Sequence, residues 1–427
     1  MSFLGCTKSG FMLCVGLSIV LLIINNINQL EDGQSFEEEI KECGFYPGEL
    51  CKALFDGKPA ALVVGNICQE ALTPSREEVP ITLQSNCTNL INELHFITTP
   101  LSLEEADYPL AYIMTIHKQL DMFIKLLAAI YVPQNVYCIH VDQKSSKTYG
   151  QAVQRLASCF HNVFLSSQQE TVVYAGFSRL RADINCMEDL VRSDLPWRHV
   201  INLCGQDFPM KTNREIVQYL KSRWNGKNLT PGVIQPPHMR YRTQATYKEF
   251  VYMGKSYVYP TKEEKAGPPY NITLYFGTAY YALTRNFVEF LLMDQRAKDL
   301  LEWSKNTYSP DEHYWVTLNR IEDFPGSTPH AGWEGNIRAV KWRDQEGISH
   351  SGCSGHYVRD ICVFGLGDLR WLINSPHLFA NKFDPSRYGL VTDCLERHYR
   401  QRVLDGADVP VEQSWYLQDE YSTKALK

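Results

Sequence analysis

From residue 109 onward, short apolar runs alternate with segments in which apolar residues recur at helical spacing. The runs predict buried strands and the amphipathic segments predict helices, because the two structures repeat their side-chain directions with different periods. Strands alternating with helices of this length are typical of βαβ units around a parallel sheet. The predicted strands are 111–116, 136–141, 163–165 and 199–203, and the helices include 120–130, a segment around Val153–Ala157, and 177–191.

The second half of the chain has a mixed pattern. Strands are predicted at 271–277 and 279–283, and a long helix at 286–303. An acidic and aromatic stretch follows at 308–315. The two halves together predict an α/β fold in which a regular sheet is followed by a less regular part.

Three polar groups follow predicted strands. They are His117, Asp142 and the turn Gly205–Asp207. Because ligands of parallel α/β sheets gather outside the carboxyl ends of the strands, the pattern predicts a nucleotide-type domain with its site there. Asp142 also suits an ordinary strand-end turn, and both His117 and the strand residue His140 are more simply interpreted as core or supporting histidines.

The amino-terminal region carries an apolar run at 11–24, with Lys8 before it. This run is shorter than the ~20 residues that span a typical bilayer, although thinner early-secretory membranes reduce the mismatch. We predict a cytoplasmic tail at 1–9 and an uncleaved transmembrane signal anchor at 10–27, oriented by the upstream lysine. A cleaved signal peptide is the alternative, but the Asn-rich residues 25–28 offer no small-residue cleavage site.

Residues 28–105 are predicted to form a lumenal stem, followed by a catalytic domain at 106–427. The stem contains the acidic run Glu37–Glu39, scattered Pro and Gly residues, several cysteines and weak periodicity. Such a composition is typical of a largely irregular segment held by disulfides.

Charge and cysteine content indicate which cellular compartment the protein occupies and which partners it binds. The net charge of −6, without a long basic run, gives no electrostatic support for nucleic-acid binding. The 13 cysteines include no C-x-x-C pair, so they indicate disulfides in an oxidising lumen rather than structural zinc, and their odd number leaves a free or intermolecular thiol. N-glycosylation is predicted at the sequons of Asn86, Asn228 and Asn271, a short pattern that also arises by chance.

The stretch 308–315 is the main candidate for chemistry. Locally, Ser309 suits an N-cap, Pro310 the first helical position, and Glu312 the acid of a capping box. The alternative is that Glu312 is a catalytic base in a sugar-lined cleft. The two roles are compatible, because a helix start holds its first-turn side chains in place.

Four longer motifs occur in the order Tyr137–Asp142 (YCIHVD), Ile201–Pro209 (INLCGQDFP), Thr307–Glu312 (TYSPDE) and His377–Asp384 (HLFANKFD). In sequence and spacing they resemble the core 2 and I-branching β-1,6-N-acetylglucosaminyltransferases, which share a broader family with protein xylosyltransferases. The resemblance extends from about Leu101 to Cys394.

The resemblance implies a GT-A fold, with a Rossmann-like nucleotide-binding sheet and a mixed acceptor-binding half, on a type II Golgi membrane anchor. It also implies transfer of N-acetylglucosamine from UDP-GlcNAc to a sugar 6-hydroxyl of an O-glycan, with inversion and without a metal cofactor. The sequence contains no Asp-x-Asp motif, which holds the metal in most enzymes of this fold.

The resemblance also implies roles for individual residues. Glu312 matches the base that removes the proton of the acceptor hydroxyl as its oxygen attacks the anomeric carbon. Arg359 and Lys382 match a basic pair that contacts the diphosphate and would neutralise the leaving group, although each alone would be an ordinary surface cation. Asp142 matches an aspartate that contacts the nucleoside.

The acceptor side resembles the core 2 members poorly. The family's acceptor positions correspond here to Thr230, Met239, Arg242, Trp342 and Asp344. Only Arg242 and Trp342 keep the family's residue types, and they are the predicted acceptor-binding residues; a core position suits Trp342 equally well. Because loss of a charged partner in a desolvated site costs about 1.5–3 kcal/mol, we expect an acceptor other than that of core 2.

Disulfides are predicted from the resemblance, each stabilising the fold by about 2–4 kcal/mol. The pairs are Cys51–Cys394, Cys87–Cys159, Cys138–Cys186 and Cys353–Cys362. Cys204 matches an unpaired cysteine of the family. Cys43 and Cys68 have no counterparts there, and can pair with each other or with a second chain in a homodimer.

Three functions are consistent with these observations. The first is a metal-independent β-1,6-N-acetylglucosaminyltransferase with an altered acceptor, supported by Glu312, Arg359 and Lys382. The second is a Golgi glycan- or nucleotide-binding protein that has lost catalysis, supported by the altered acceptor positions. The third is a transferase with a different donor such as UDP-xylose, which follows from the broader family.

Overall fold

The computed structural model describes residues 47–72, 86–335 and 337–411. The chain divides into two compact units, residues 1–76 and 77–427. Residues 86–105, which the sequence assigns to the stem, belong to the second unit, and Leu90 and Phe96 are part of its core. This unit therefore begins earlier than the predicted boundary at residue 106.

The described part of the first unit is helical. Its helices are Pro47–Phe55 and Pro59–Leu72. Each begins with proline, whose fixed φ and missing N–H suit the first position of a helix. The prediction of a largely irregular stem is therefore wrong for these residues, because two short helices give little periodicity over a long window.

The second unit is built around a five-stranded sheet. Its strands are β1 (Leu110–Ile116), β2 (Val136–Val141), β3 (Val163–Leu165), β4 (His199–Cys204) and β10 (Ala282–Thr284). Across the sheet the order is β10-β4-β1-β2-β3; β1 to β4 are parallel, and β10 is antiparallel to β4. The fold is thus mixed α/β with a parallel sheet, as the alternating pattern predicts.

Successive residues of β1 belong to two different cores, because side chains of a strand point alternately to opposite faces. Tyr112 shares one core with apolar residues of the helix Leu120–Ile130. Ile113 shares the other with residues of the helix Phe177–Arg192. Helices therefore cover both faces, which explains why the strands are continuous apolar runs.

Smaller elements surround this sheet. A three-stranded sheet has the order β11 (Arg338–Ala339), β14 (Phe379–Asn381), β5 (Asp207–Pro209). The two-stranded pairs are β6 (Gly232–Ile234) with β9 (Tyr275–Gly277), β7 (Ala245–Tyr252) with β8 (Lys255–Glu264), and β12 (His356–Val358) with β13 (Ile361–Val363). Further helices are Cys87–Glu93, Leu103–Ala106, Lys147–Ala157, Asn213–Arg223, Tyr241–Gln244, Arg285–Met293, Gln295–Ser304, Tyr314–Leu318, Leu369–Ile373 and Pro385–Asp405.

The second half differs from its prediction in detail. The helix expected at 286–303 is divided at Asp294, whose backbone is extended and whose side chain accepts from the amides of Arg296 and Ala297, so that it caps a new helix. The strand expected at 271–277 is shortened to β9. The hairpin β7–β8 lies where the sequence predicts no element.

Three of the four predicted disulfides are present: Cys87–Cys159, Cys138–Cys186 and Cys353–Cys362. Cys204 is free, as predicted. Cys51, Cys68 and Cys394 are each disulfide-bonded, and the mutual pairing of Cys51 with Cys394 stays a prediction. Cys43 lies outside the described residues.

The membrane anchor predicted at 10–27 and its tail at 1–9 also lie outside the described residues. Within the ranges that the structure describes, no helix is long and apolar enough to cross a bilayer.

The sequons differ in exposure. Asn86 and Asn271 are exposed, so both stay predicted glycosylation sites. Asn228 is fully buried; its side-chain nitrogen donates to the Pro325 carbonyl, and its oxygen accepts from the amide and hydroxyl of Thr284. The structure therefore contradicts glycosylation at Asn228, because a glycan on that nitrogen would break these bonds and open the core.

Candidate active site

Two neighbouring strands of the main sheet end at the same edge. β1 ends at Ile116 and β2 at Val141, and the backbone amide of Asp142 donates to the Ile116 carbonyl at 2.9 Å. Because the strands are parallel, this edge is the one where ligands of such sheets gather. His117 is exposed at the edge, whereas His140 is buried within β2.

Asp142 is buried, and its carboxylate organises the residues around it. Oδ1 accepts from the amides of Lys144 at 2.9 Å and Val172 at 3.3 Å, and Oδ2 lies 2.7 Å from the Lys144 ammonium group. The strand-end turn that was the alternative interpretation of Asp142 is thus present. The same bonds place Asp142 at the edge where a nucleotide would bind.

The segment Val172–Ser178 connects this edge to the other side of the site. Its first amide is bonded to Asp142, and the carbonyl of Ala175 accepts from the Ser309 amide at 2.8 Å. Ser309 directly precedes the 3₁₀ turn Pro310–Glu312. One short stretch of backbone therefore contacts both the strand end and the turn that carries Glu312.

The end of this segment is also tied to the hairpin β7–β8. Ser178 donates from its backbone amide and its hydroxyl to Glu249 Oε2, at 3.3 and 3.0 Å. Glycine at position 176 leaves room for this approach, since a Cβ there would lie 1.8 Å from Glu249 Oε2 and would displace the Glu249 side chain. Burial raises the pKa of Glu249, and the bonds from Ser178 lower it.

Arg359 lies in the two-residue turn between β12 and β13. Arg359 and Asp360 have φ values of 52° and 61°, and Val358 pairs with Ile361 across the turn. Such hairpin turns favour Gly, Asn or Asp, so Arg359 adopts a conformation that few side chains accept. Its guanidinium carbon lies 4.0 Å from the centre of the Tyr174 ring.

Lys382 follows β14 and is half-buried. Burial lowers the pKa of its ammonium group, and the positive charges of Arg359 and Lys118 lower it further, against the opposite influence of Cys204 and Asp207. In the described part of the chain, no carboxylate forms an ion pair with Arg359 or Lys382. Neighbouring cations without a carboxylate partner make a surface that favours an anion.

Glu312 points its carboxylate at Arg242. Nη1 of Arg242 donates to Glu312 Oε2 in an ion pair. Burial raises the pKa of Glu312, and Arg242 opposes that shift. Oε1 accepts no hydrogen bond from the residues that the structure describes, so one oxygen is held and the other remains available to a hydroxyl.

The predicted capping box around Glu312 is wrong, although Pro310 does begin the turn. Ser309 has φ 44° and ψ 59°, and its side chain bonds no amide of the turn. An N-cap residue needs an extended backbone to hold its oxygen near the first-turn amides. Since the carboxylate of Glu312 pairs with Arg242 instead, its capping role is excluded.

Burial shifts the pKa of both residues that flank Glu312. Burial raises the pKa of Asp311 to about 7, against the influence of Arg179. Burial lowers the pKa of His313 to about 4, so its ring is neutral in ordinary conditions. Arg242 is the charged group that contacts Glu312 directly.

Two aromatic pairs meet at Arg242. The Phe276 ring lies 5.0 Å from its guanidinium carbon and contacts Trp333 edge to face at 6.2 Å. The Tyr308 ring lies at 5.3 Å and contacts Tyr241, also at 6.2 Å. These rings line the side of the site away from the main sheet edge.

The pKa values of Tyr174 and Tyr308 are affected both by Glu312 and by Arg359. Burial raises the pKa of both phenols, and Glu312 raises each further whereas Arg359 lowers it. Tyr174 also contacts Arg359, and the next residue, Ala175, accepts from the amide of Ser309, so one short segment links Arg359 to the turn that carries Glu312. Tyr174 is a candidate that sequence reasoning missed, because it lies in a loop and no periodicity marks it.

The structure does not bring Trp342 to Arg242. Its backbone bridges Ile361 of β13, beside the turn that carries Arg359, and its side chain is 37 % exposed. Within the described ranges no contact links its ring to Arg242 or Glu312. The core position that was the alternative for Trp342 is excluded by its exposure.

Thr230 is part of the core rather than of an acceptor surface. Its hydroxyl accepts from Asn319 Nδ2 at 2.8 Å and from Arg320 Nη1 at 3.0 Å, and its carbonyl accepts from Arg320 Nη2 at 2.9 Å. A side chain used in this way is not available to an acceptor. The other altered positions are a half-buried Met239 and an exposed Asp344.

One group of residues among those described has the composition of a metal site: Cys353, Cys362 and Asp368. The two cysteines form a disulfide, and Asp368 pairs with the buried Lys341 at 2.6 Å. These bonds account for the group, so it does not fit a metal ion.

Comparison with known proteins gives consistent matches. Residues 110–373 match the model of the Core-2/I-Branching enzyme family. The chain is 55 % identical over 424 residues to the Homo sapiens protein named probable beta-1,3-galactosyl-O-glycosyl-glycoprotein beta-1,6-N-acetylglucosaminyltransferase 7, with 98 % of each chain covered. It is 52 % identical over 370 residues to Homo sapiens N-acetyllactosaminide beta-1,6-N-acetylglucosaminyl-transferase, covering 86 % of this chain and 89 % of the relative. The Rattus norvegicus beta-1,3-galactosyl-O-glycosyl-glycoprotein beta-1,6-N-acetylglucosaminyltransferase 3 is 44 % identical over 340 residues, with 77 % and 76 % covered.

Proposed function

The chain belongs to the Core-2/I-branching enzyme family, and from that premise we propose that it transfers N-acetylglucosamine from UDP-GlcNAc to the 6-hydroxyl of an acceptor glycan. The relatives are named as β-1,6-N-acetylglucosaminyltransferases, and the parallel sheet with its ligand edge suits a GT-A nucleotide-binding fold. The reaction would belong to O-glycan branching, in a type II Golgi membrane protein whose catalytic unit is lumenal.

The observation that carries the proposal is the environment of Glu312. A base must be ionised at working pH, yet basic enough to accept a proton from an alcohol. Burial makes the carboxylate more basic, and Arg242 keeps it ionised by binding one oxygen. The second oxygen is left to accept the proton.

The proposed reaction is a single displacement. As Glu312 Oε1 takes the proton of the acceptor 6-hydroxyl, that oxygen forms a bond to C1 of N-acetylglucosamine, and the bond from C1 to the diphosphate oxygen breaks. The electron pair leaves with UDP. Because the acceptor oxygen enters opposite the departing oxygen, an α-linked donor gives a β-linked product, so the configuration inverts.

Arg359 and Lys382 are proposed to receive the leaving diphosphate. Both are cations without a carboxylate partner among the described residues. Arg359 contacts Tyr174, in the segment bonded to Ser309, and the charge of Arg359 acts on Lys382. Positive groups placed where negative charge develops stabilise the transition state. The chain has no Asp-x-Asp motif, so we propose that these side chains, rather than a metal ion, neutralise UDP.

Asp142 is proposed to contact the nucleoside. It lies at the carboxyl edge of the parallel sheet, and it accepts from the amide of Val172, two residues before the Tyr174 ring on which Arg359 lies. A nucleoside at Asp142 would extend its diphosphate towards Arg359.

The acceptor is proposed to differ from that of the core 2 enzymes. Arg242 is retained next to Glu312, whereas Thr230 is bonded within the core and Trp342 lies beside the turn that carries Arg359. Side chains other than Thr230 would therefore bind the acceptor sugar.

The test uses the purified full-length chain with UDP-GlcNAc, EDTA, and a panel of O-glycan, N-acetyllactosamine and glycolipid acceptors, with products analysed by mass spectrometry. We expect a β-1,6-branched product, and we expect Glu312→Gln to reduce transfer by about 10²–10⁴-fold while UDP affinity is unchanged. Glu302→Gln, at an exposed position of the helix Gln295–Ser304, is the matched control.

Each alternative has its own result. UDP binding without any product would support the non-catalytic protein. A product formed from UDP-xylose but not from UDP-GlcNAc would support the other donor. Equal transfer rates for Glu312→Gln and the unaltered chain would rule out Glu312 as the base.

A further inference from the structure

Trp333 is a half-exposed tryptophan in the loop that follows the helix Tyr314–Leu318, with 51 % of its surface accessible. The loop is held in place on both sides of it. The carbonyl of Gly332 accepts from the Gly232 amide at 2.8 Å. Gly335 has φ +123° and packs against Leu229, where a Cβ would lie 2.6 Å from Cδ2. Trp333 is thus exposed from a fixed backbone.

The position of Trp333 relative to the base is set by a chain of contacts. Its ring meets Phe276 edge to face, with centroids 6.2 Å apart and planes at 76°. The guanidinium group of Arg242 lies over the Phe276 ring and forms the ion pair with Glu312. Phe276 also contacts the ring of His313, the residue after Glu312, at 5.7 Å. Trp333 is therefore connected to Glu312 through Phe276 and Arg242, on the exposed side of the Phe276 ring.

An exposed indole beside a base for a sugar hydroxyl has a specific use. The electron-rich face of an aromatic ring attracts the partially positive C–H groups that line one face of a pyranose. Such stacking also orients the sugar ring, which fixes where its 6-hydroxyl lies. A serine side chain of a protein acceptor has no such face.

We propose that Trp333 is the residue on which the acceptor pyranose stacks while its 6-hydroxyl is directed to Glu312. The inference rests on the proposed function and identifies the acceptor as a neutral hexopyranose at that position. Glu334 follows Trp333 and is exposed, with Oε2 2.7 Å from the Gly332 amide. A sugar with its own carboxylate would be repelled by Glu334 and by Glu312, so uronic and sialic acids are disfavoured.

The first experiment compares Trp333→Ala and Trp333→Phe with the unaltered full-length chain in the transfer assay. We expect Trp333→Ala to raise KM for the acceptor about 10-fold or more, with little change in kcat or in KM for UDP-GlcNAc. Trp333→Phe keeps an aromatic face and should restore most of the acceptor affinity. Tyr252→Ala, an exposed aromatic residue at the tip of the hairpin β7–β8, is the control and should change neither constant.

The second experiment measures binding alone, by saturation-transfer-difference NMR with the methyl glycosides of N-acetyllactosamine and of β-1,3-galactosyl-N-acetylgalactosamine. Saturation should reach the C–H groups of one face of the acceptor sugar, and Trp333→Ala should abolish it. This result without any transfer would remove the proposed function and leave the stacking residue in place.

Other results overturn the inference. An unchanged acceptor KM in Trp333→Ala, a large effect of Trp342→Ala instead, or no saccharide binding by the unaltered chain would each exclude Trp333 as the acceptor platform. Equal binding of a sialylated or uronic acid saccharide at the same residue would exclude the neutral sugar.

Discussion

The two sides of the cleft are built in different ways. On the donor side, His117 and Asp142 follow parallel strands, so the sheet itself places them. On the acceptor side, Arg242 lies in a single-turn helix and Trp333 in a loop, and contacts between distant segments hold them. The proposed nucleotide side is thus placed by regular structure at His117 and Asp142, whereas the proposed acceptor side depends on connecting segments.

The two sides also differ in how many of the family's residues they retain. The proposed donor residues Asp142, Arg359 and Lys382 all match the family pattern. At the acceptor positions, Thr230 is absorbed into the core and Trp342 lies beside the donor-side hairpin. Side chains in a loop can be substituted without disturbing a sheet. Acceptor preference can therefore diverge with less loss of fold stability than donor binding.

Among the substitutions that test this comparison of the two sides, the largest effect is expected on the donor side. Lys382→Ala should reduce kcat by about 10²–10³-fold, because a charge that stabilises the leaving diphosphate is lost. Steady-state kinetics at saturating acceptor measure it. Lys248→Ala, at an exposed position of β7, is the control and should leave kcat unchanged. A loss of acceptor affinity with kcat intact would break the separation between the two sides.

A smaller effect should follow from Thr230→Val in the core beneath the acceptor side. The substitution keeps the shape but removes the acceptor for Asn319 and Arg320, leaving their buried donors short of a partner. We expect the free energy of unfolding to fall by about 1–3 kcal/mol, measured by thermal or chemical denaturation. UDP affinity should not change; a matching loss of it would show that the two sides are not independent.

The smallest expected effect is a shift in the pH dependence of kcat/KM. Arg242 lowers the pKa of Glu312, so Arg242→Gln should raise that pKa towards the value that burial alone would give. Since the base works only when ionised, the acid limb of kcat/KM should move to higher pH. The pH profile of kcat/KM measures this, and an unmoved acid limb would mean that another group controls it.

The sequence predicts the donor side well, for a physical reason. β2 occupies the predicted residues 136–141, and β1 and β4 differ from prediction by one residue, because strands buried on both faces are continuous apolar runs. The strand-end rule then locates Asp142. The motifs locate Glu312, but local propensity suggests a cap at Ser309 that the left-handed backbone forbids.

The acceptor side could not be predicted in the same way. The hairpin β7–β8 exposes Phe250, Tyr257 and Tyr259, so its apolar residues do not mark a buried face. Trp333 contacts Phe276, a residue 57 positions earlier in the chain (333 − 276). The sequon at Asn228 gives no sign of the buried bonds that its side chain makes. Each of these features depends on contacts that no local pattern contains.

The hydrogen bonds of the segment Val172–Ser178 also determine how this part of the protein unfolds locally. Its backbone is bonded at one end to Asp142, in the middle to Ser309 and at the far end to Glu249. Local opening proceeds in cooperative units whose hydrogen bonds break together. The amide protons of Val172, Ser178 and Ser309 should therefore exchange with solvent at one common rate, so that the nucleotide edge and the catalytic turn are assembled and lost as a single element.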